Sequence, residues 1–168
     1  MIKFFLRFII LICGVVLAGG LAGGLQIHAL VVASIFVCAW ISIVSFEDIA
    51  WWIVAFAIIF GFLYYDAFAL YAIAILSDAL IYDMIHSYAV RTANAHPFIL
   101  FIVAFFVAIV IANLATFITY HYIFIDAQMM VTTFLWSLFF FFFLRFVMEH
   151  IERVITLYNR GSDLRSHV

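Results

Sequence analysis

Apolar residues fill six long blocks of this chain, and polar positions are confined almost entirely to the short breaks between them. The blocks run from about Phe4 to Ala22, Ile27 to Phe46, Ile49 to Tyr65, Ala67 to Ile85, Phe98 to Tyr120, and from Ala127 past Leu144. Stretches such as FILFIVAFFVAIVIA and SLFFFFFL show no alternation of apolar with polar residues. A transmembrane β-barrel, the other way to pair every backbone group inside lipid, needs that alternation over strands of about ten residues. The pattern therefore predicts helices, each near the length of about 20 residues that crosses a bilayer core. The third block is short and barely separated from the fourth, and the pair reads as a tight helical hairpin in preference to one broken, re-entrant element. The expected fold is all-α: a polytopic membrane helix bundle of about six transmembrane helices, forming a single domain over residues 1–158.

Composition removes the other classes. The 168 residues are 71% apolar and 10% charged, whereas soluble domains are about 25% charged. A chain of this size leaves roughly a third of its unfolded surface wet, so so much apolar surface cannot be hidden from water. Disorder needs the opposite composition. The formal net charge of −2 gives no case for nucleic-acid binding. Cys13 and Cys38 lie inside apolar runs and read as small hydrophobes.

Charge placement sets the orientation. All seven basic residues are Lys3, Arg7, Arg91, Arg145, Arg153, Arg160 and Arg165. With six spans and an inside N-terminus, each falls in or beside an inside segment, and the outside turns near Leu25–Gln26, Asp66 and His121–Asp126 carry none. That asymmetry is the positive-inside rule, and it predicts cytoplasmic N- and C-termini. The inside turn at 46–48 is the weak point, with Glu47 and Asp48 and no compensating cation. The first block also resembles a secretory signal, with a basic start and small residues in VLAGGLAGG, but its apolar run is longer than a usual signal core.

Five polar residues stand out. Asp66, Asp78, Asp83, His86 and Asn113 lie in or near apolar blocks, where ionisable groups are functional candidates by default. Asp78 is the deepest. Asp83 and His86, spaced i, i+3, share a helical face, while Asp78 lies about 140° around the helix from Asp83, so a metal site or proton relay needs ligands from other helices. Snorkelling and hydrogen bonding within the bundle are the plainer reading. Asn113, Thr116 and Thr119 form a modest polar stripe suited to helix–helix hydrogen bonds. Gly19, Gly20, Gly23 and Gly24 make two overlapping i, i+4 spacings that suit close helix packing, inside the bundle or against another membrane subunit. Trp40, Trp51, Trp52, Tyr64, Tyr65, Tyr120 and Tyr122 read as an aromatic belt at the headgroup level.

Past the last block, RFVMEHIERVITLYNRG continues as an amphipathic helical extension over about 145–158, with Val147, Ile151, Val154, Ile155 and Tyr158 on one face and pairs Arg145–Glu149 and Glu149–Arg153 at i, i+4. It suits the inner leaflet or, over 146–158, a cytoplasmic partner. Gly161 is the expected stop, with a polar tail over 159–168. No G-x-S-x-G, H-E-x-x-H, phosphate-binding glycine loop or C-x-x-C occurs, so neither an enzyme nor a cofactor is expected.

The segment GFLYYDAFALYAIAIL, Gly61 to Leu76, resembles the Gly-then-Asp segment of MreD-like rod-shape-determining membrane proteins. The length, the six-span plan, the inner loop RTANAHPF and the basic exit of the last helix are also similar. The resemblance implies a non-enzymatic scaffold of the cell-wall elongation machinery, bridging membrane subunits and the cytoskeletal filament, with Gly61 and Asp66 as the carried-over positions. A related six-helix plan, in the substrate-binding subunits of energy-coupling-factor vitamin transporters, implies the alternative: a small-solute binding or transport subunit with a polar cavity lined by Asp78, Asp83, Asn113 and Tyr82.

Overall fold

A computed structural model describes residues 2–25, 28–63, 68–93, 96–121 and 127–165. Among these, the elements are α1 (Ile2–Leu25), α2 (Ala29–Ile41), α3 (Phe46–Phe62), α4 (Phe68–Ala93), α5 (Pro97–Tyr120) and α6 (Ala127–Arg165), with no strand. One helix falls in each apolar block. Asp66, Tyr64, Tyr65 and Tyr122 lie outside the described residues, as do the surroundings of Gly23 and Gly24.

Helix boundaries follow local chemistry. Pro97 stands in the first turn of α5, where no N–H is needed, and the His96 Nδ1 before it accepts from the Phe98 N–H at 3.3 Å. His121 closes α5 in the left-handed region (φ 55°), its N–H bonded to the Phe117 carbonyl at 2.9 Å. The second block is not one helix to Phe46. α2 stops at Ile41, a turn occupies 42–45, and Glu47 and Asp48 enter the first turn of α3, where the helix dipole favours negative charge.

α2 is the centre of the bundle. Twelve of its thirteen residues are buried, and it packs against α1, α4, α5 and α6. A helix apolar on every face belongs inside. At about 1.5 Å per residue it is only about 20 Å long, a length that costs little because its neighbours, not lipid, surround it. The α3–α4 pair packs along its length as a hairpin, as expected. Three helices, Ala69–Ala89, Pro97–Tyr120 and Met130–Thr156, are long and apolar enough to cross a membrane.

Two ends are defined by long-range contacts. At one, Arg7 of α1 meets the first turn of α3 and Glu152 of α6. At the other, His28 before α2 meets Thr116 of α5 at 3.0 Å. The first end, nearest both termini, is called the terminal end below.

Beyond Arg145, α6 continues without a break through Gly161 to Arg165, so Gly161 is not a stop. The extension therefore continues the last span as one helix. Its inward face is Leu144, Met148, Glu152 and Ile155, and Val154 faces outward. The Arg145–Glu149 pair does not form: Glu149 bonds Arg153 at 2.6 Å, and Arg145 turns into the bundle.

Candidate functional site

The interior between α2, α4 and α6 holds a cluster of buried polar groups. Asp78 and Tyr82, one turn apart on α4, are fully buried, as are Ser34 and Cys38, one turn apart on the facing α2. Neither Asp78 carboxyl oxygen has a hydrogen-bond partner, and the same holds for Ser34 Oγ, Trp40 Nε1, Tyr82 OH, Ser137 Oγ and Arg145 Nη1. The Ser34 hydroxyl and the Cys38 thiol lie beside the Asp78 carboxyl, and Tyr82 lies near Asp78, Cys38 and Arg145. Buried polar groups in native proteins are nearly always paired, so the buried set of Asp78, Ser34, Cys38 and Tyr82 marks the site.

The same α4 stripe continues outward. The His86 ring stacks on Tyr82 with centroids 5.8 Å apart. His86 and Asp83 then line a pocket of about 400 Å³ at the terminal end, together with Glu47, Ser87 and the 42–45 turn. Asp83 and His86, spaced i, i+3, thus face one pocket, and Tyr82, one turn from Asp78, lies between Asp78 and His86 along α4.

Asn113 belongs elsewhere. It donates to the Ile109 carbonyl at 2.9 Å and lines a void of about 10 Å³, with His28, Met130 and Thr133, near the opposite end. That is room for about one water. Thr116 and Thr119 bond the carbonyls four residues back, and Thr116 also meets His28, which is the cross-helix contact the stripe promised. Asn113 and Asp83 thus line different pockets, and neither pocket is lined by Asp78 or Tyr82.

The glycines divide likewise. Gly20 has open space where a side chain would stand, Gly19 has only ordinary contact with Leu63, and Gly61 is buried in the last turn of α3. The close approach is at Gly14, where an added Cβ would strike the Phe36 ring. Trp40 is not part of a belt but a core residue, whereas Trp51 and Tyr120 are exposed.

Sequence reasoning also missed Arg7 as a structural residue. Its Nε and Nη2 donate to the two Glu152 carboxylate oxygens at 3.1 and 3.3 Å, and Nη1 donates to the Asp48 carbonyl at 2.8 Å. The turn thought to lack a cation is thus held by one from α1. The signal was present: Arg7, Leu11, Gly14 and Ala18 follow i, i+4, i+7, i+11 and are all buried.

Among the described residues, no group of three or more His, Cys, Asp or Glu side chains is placed to hold a metal ion. Fold and site together define an all-helical bundle with membrane-spanning helices and a polar cluster sealed inside it. No family model, curated protein or solved structure matches the chain.

Proposed function

We propose that the chain is a non-enzymatic scaffolding subunit of a bacterial envelope complex, set in the inner membrane by six spans with both termini cytoplasmic. The observation that carries this reading is α6. Its 39 unbroken residues extend about 58 Å at 1.5 Å per residue, nearly twice the hydrocarbon core of about 30 Å. The Arg7–Glu152 pair and buried Met148 and Ile155 fix the projecting part to the bundle, leaving Glu149, Arg153 and Val154 as an outward face for a protein partner. The resemblance to MreD-like proteins supplies the partner class: membrane subunits and filament of the wall-elongation machinery. Open space at Gly20 offers a second face within the bilayer. Separation of Asp78, Asp83 and Asn113 favours scaffolding over transport. The pocket of about 400 Å³ beside Asp83 and His86 is the feature that favours the alternative, a small-solute subunit.

Two measurements test the reading. Arg153→Glu with Val154→Asp is expected to abolish co-purification of membrane partners while leaving the thermal unfolding of the chain unchanged, since both side chains are exposed. Retained partners, with a solute that stabilises the wild type but not Asp83→Ala, would establish the alternative. In a Cys13→Ser, Cys38→Ser background, Tyr120→Cys is expected to react with an impermeant maleimide from outside intact cells. Arg153→Cys should react only after permeabilisation. Labelling of both from one side would overturn the six-span orientation.

A further inference from the structure

Asp78 is a carboxyl with no exposure and no hydrogen bond, in the middle of a helix of spanning length. The groups that face it are Ser34 and Cys38 from α2 and Tyr82 from its own helix, with Arg145 of α6 on the far side of Tyr82. α3 and α5, also packed on α4, add no charge at this level: the charged residues of α3 are Glu47 and Asp48 in its first turn, and α5 has none. An ionised carboxylate with both oxygens unpaired in an apolar interior costs far more than taking up a proton. A polar stripe leads inward from the terminal-end pocket, His86, Tyr82 and Asp78, about 12 Å from first to last at 1.5 Å per residue.

We propose that Asp78 is a proton-binding site inside the bundle, loaded from the terminal-end pocket along the Tyr82–His86 stripe. Loading forms one O–H bond on the carboxylate and breaks one on a hydronium ion of the pocket, leaving water. The acid form gains a donor, and the Ser34 hydroxyl beside it across the α2–α4 contact is the group that accepts it. The Tyr82 ring, fully buried between Asp78 and His86, separates the site from the pocket and sets the rate of exchange. This site stands independently of the scaffolding role.

Infrared difference spectroscopy on the full chain in phosphatidylcholine vesicles tests it. A carbonyl stretch of a protonated carboxylic acid is expected at neutral pH, lost in Asp78→Asn, retained in Asp83→Asn, and removed reversibly by alkali. Labelling the wild type with [¹³C]aspartate should shift the band, which keeps the test decisive if Asp78→Asn does not fold. The band should respond to deuterated solvent faster in Tyr82→Ala than in the wild type. Absence of an aspartic-acid band at neutral pH would overturn the site, and equal exchange rates in Tyr82→Ala would overturn the route. Displacement of the proton by sodium at fixed pH would also overturn the proposal, making Asp78 a cation ligand.

Discussion

Arg7→Met is expected to lower the stability of the folded bundle by about 3 kcal/mol, the lower end of the range for removing one partner of a buried ion pair. The guanidinium is 5% exposed and Glu152 14% exposed, so neither charge is well served by water. Three donors go with the substitution: two to Glu152 and one to the Asp48 carbonyl, and with them the tie between α1, α3 and α6. Most of the loss comes from the carboxylate left behind. Arg7→Met combined with Glu152→Met should therefore recover much of it, because an apolar pair of similar volume is close to neutral where both charges are removed. Equilibrium unfolding in mixed micelles measures all three proteins. A loss below about 1 kcal/mol for the single variant would place the pair among exposed ion pairs, which contribute little. Arg7→Met should also loosen the α6 arm, seen as faster amide exchange over 148–155.

Gly14→Leu is expected to destabilise by a similar amount, at the upper end of the 1–3 kcal/mol typical of overpacking. The new side chain would meet the Phe36 ring, and that ring has nowhere to go. It stacks on Phe56 with centroids 4.9 Å apart and meets the edge of Trp40 at 5.9 Å, all three rings being buried. Reducing Phe36 to Leu should rescue Gly14→Ala, and the non-additivity of that pair measures the contact. Gly20→Ala is the control. Nothing stands within 4 Å of its Cβ position, so the gain in helix propensity, up to about 1 kcal/mol, should leave the protein unchanged or slightly more stable.

The two glycines show why the interior was only partly legible. Four glycines in GGLAGG stand out by their spacing, yet in the structure Gly20 is open, while Gly14, alone in ILICGVVLA, carries the closest approach. What mattered was the whole face, on which Gly14 pairs with Ala18 at i+4 rather than with another glycine. Asp78 was legible as an anomaly, because a carboxylate in an apolar block is conspicuous in any sequence. Its surroundings were not, since Ser34 and Cys38 come from another helix. Arg145 reads naturally as the i, i+4 partner of Glu149, but burial of its side of α6 turns it inward and leaves Glu149 to Arg153.

By itself the sequence determined the helical class and the six helical segments. Those properties are local: in an apolar medium each segment must satisfy its own backbone, and hydropathy sums along the chain. Tertiary structure decided which faces meet. It buried the short α2 at the centre, joined Arg7 to Glu152 across 145 positions, and brought Asp78 beside Ser34 while keeping Asn113 apart. Those outcomes depend on the rotation of each helix about its axis. That rotation is fixed by volumes and polar groups on neighbouring helices, so no one segment encodes it.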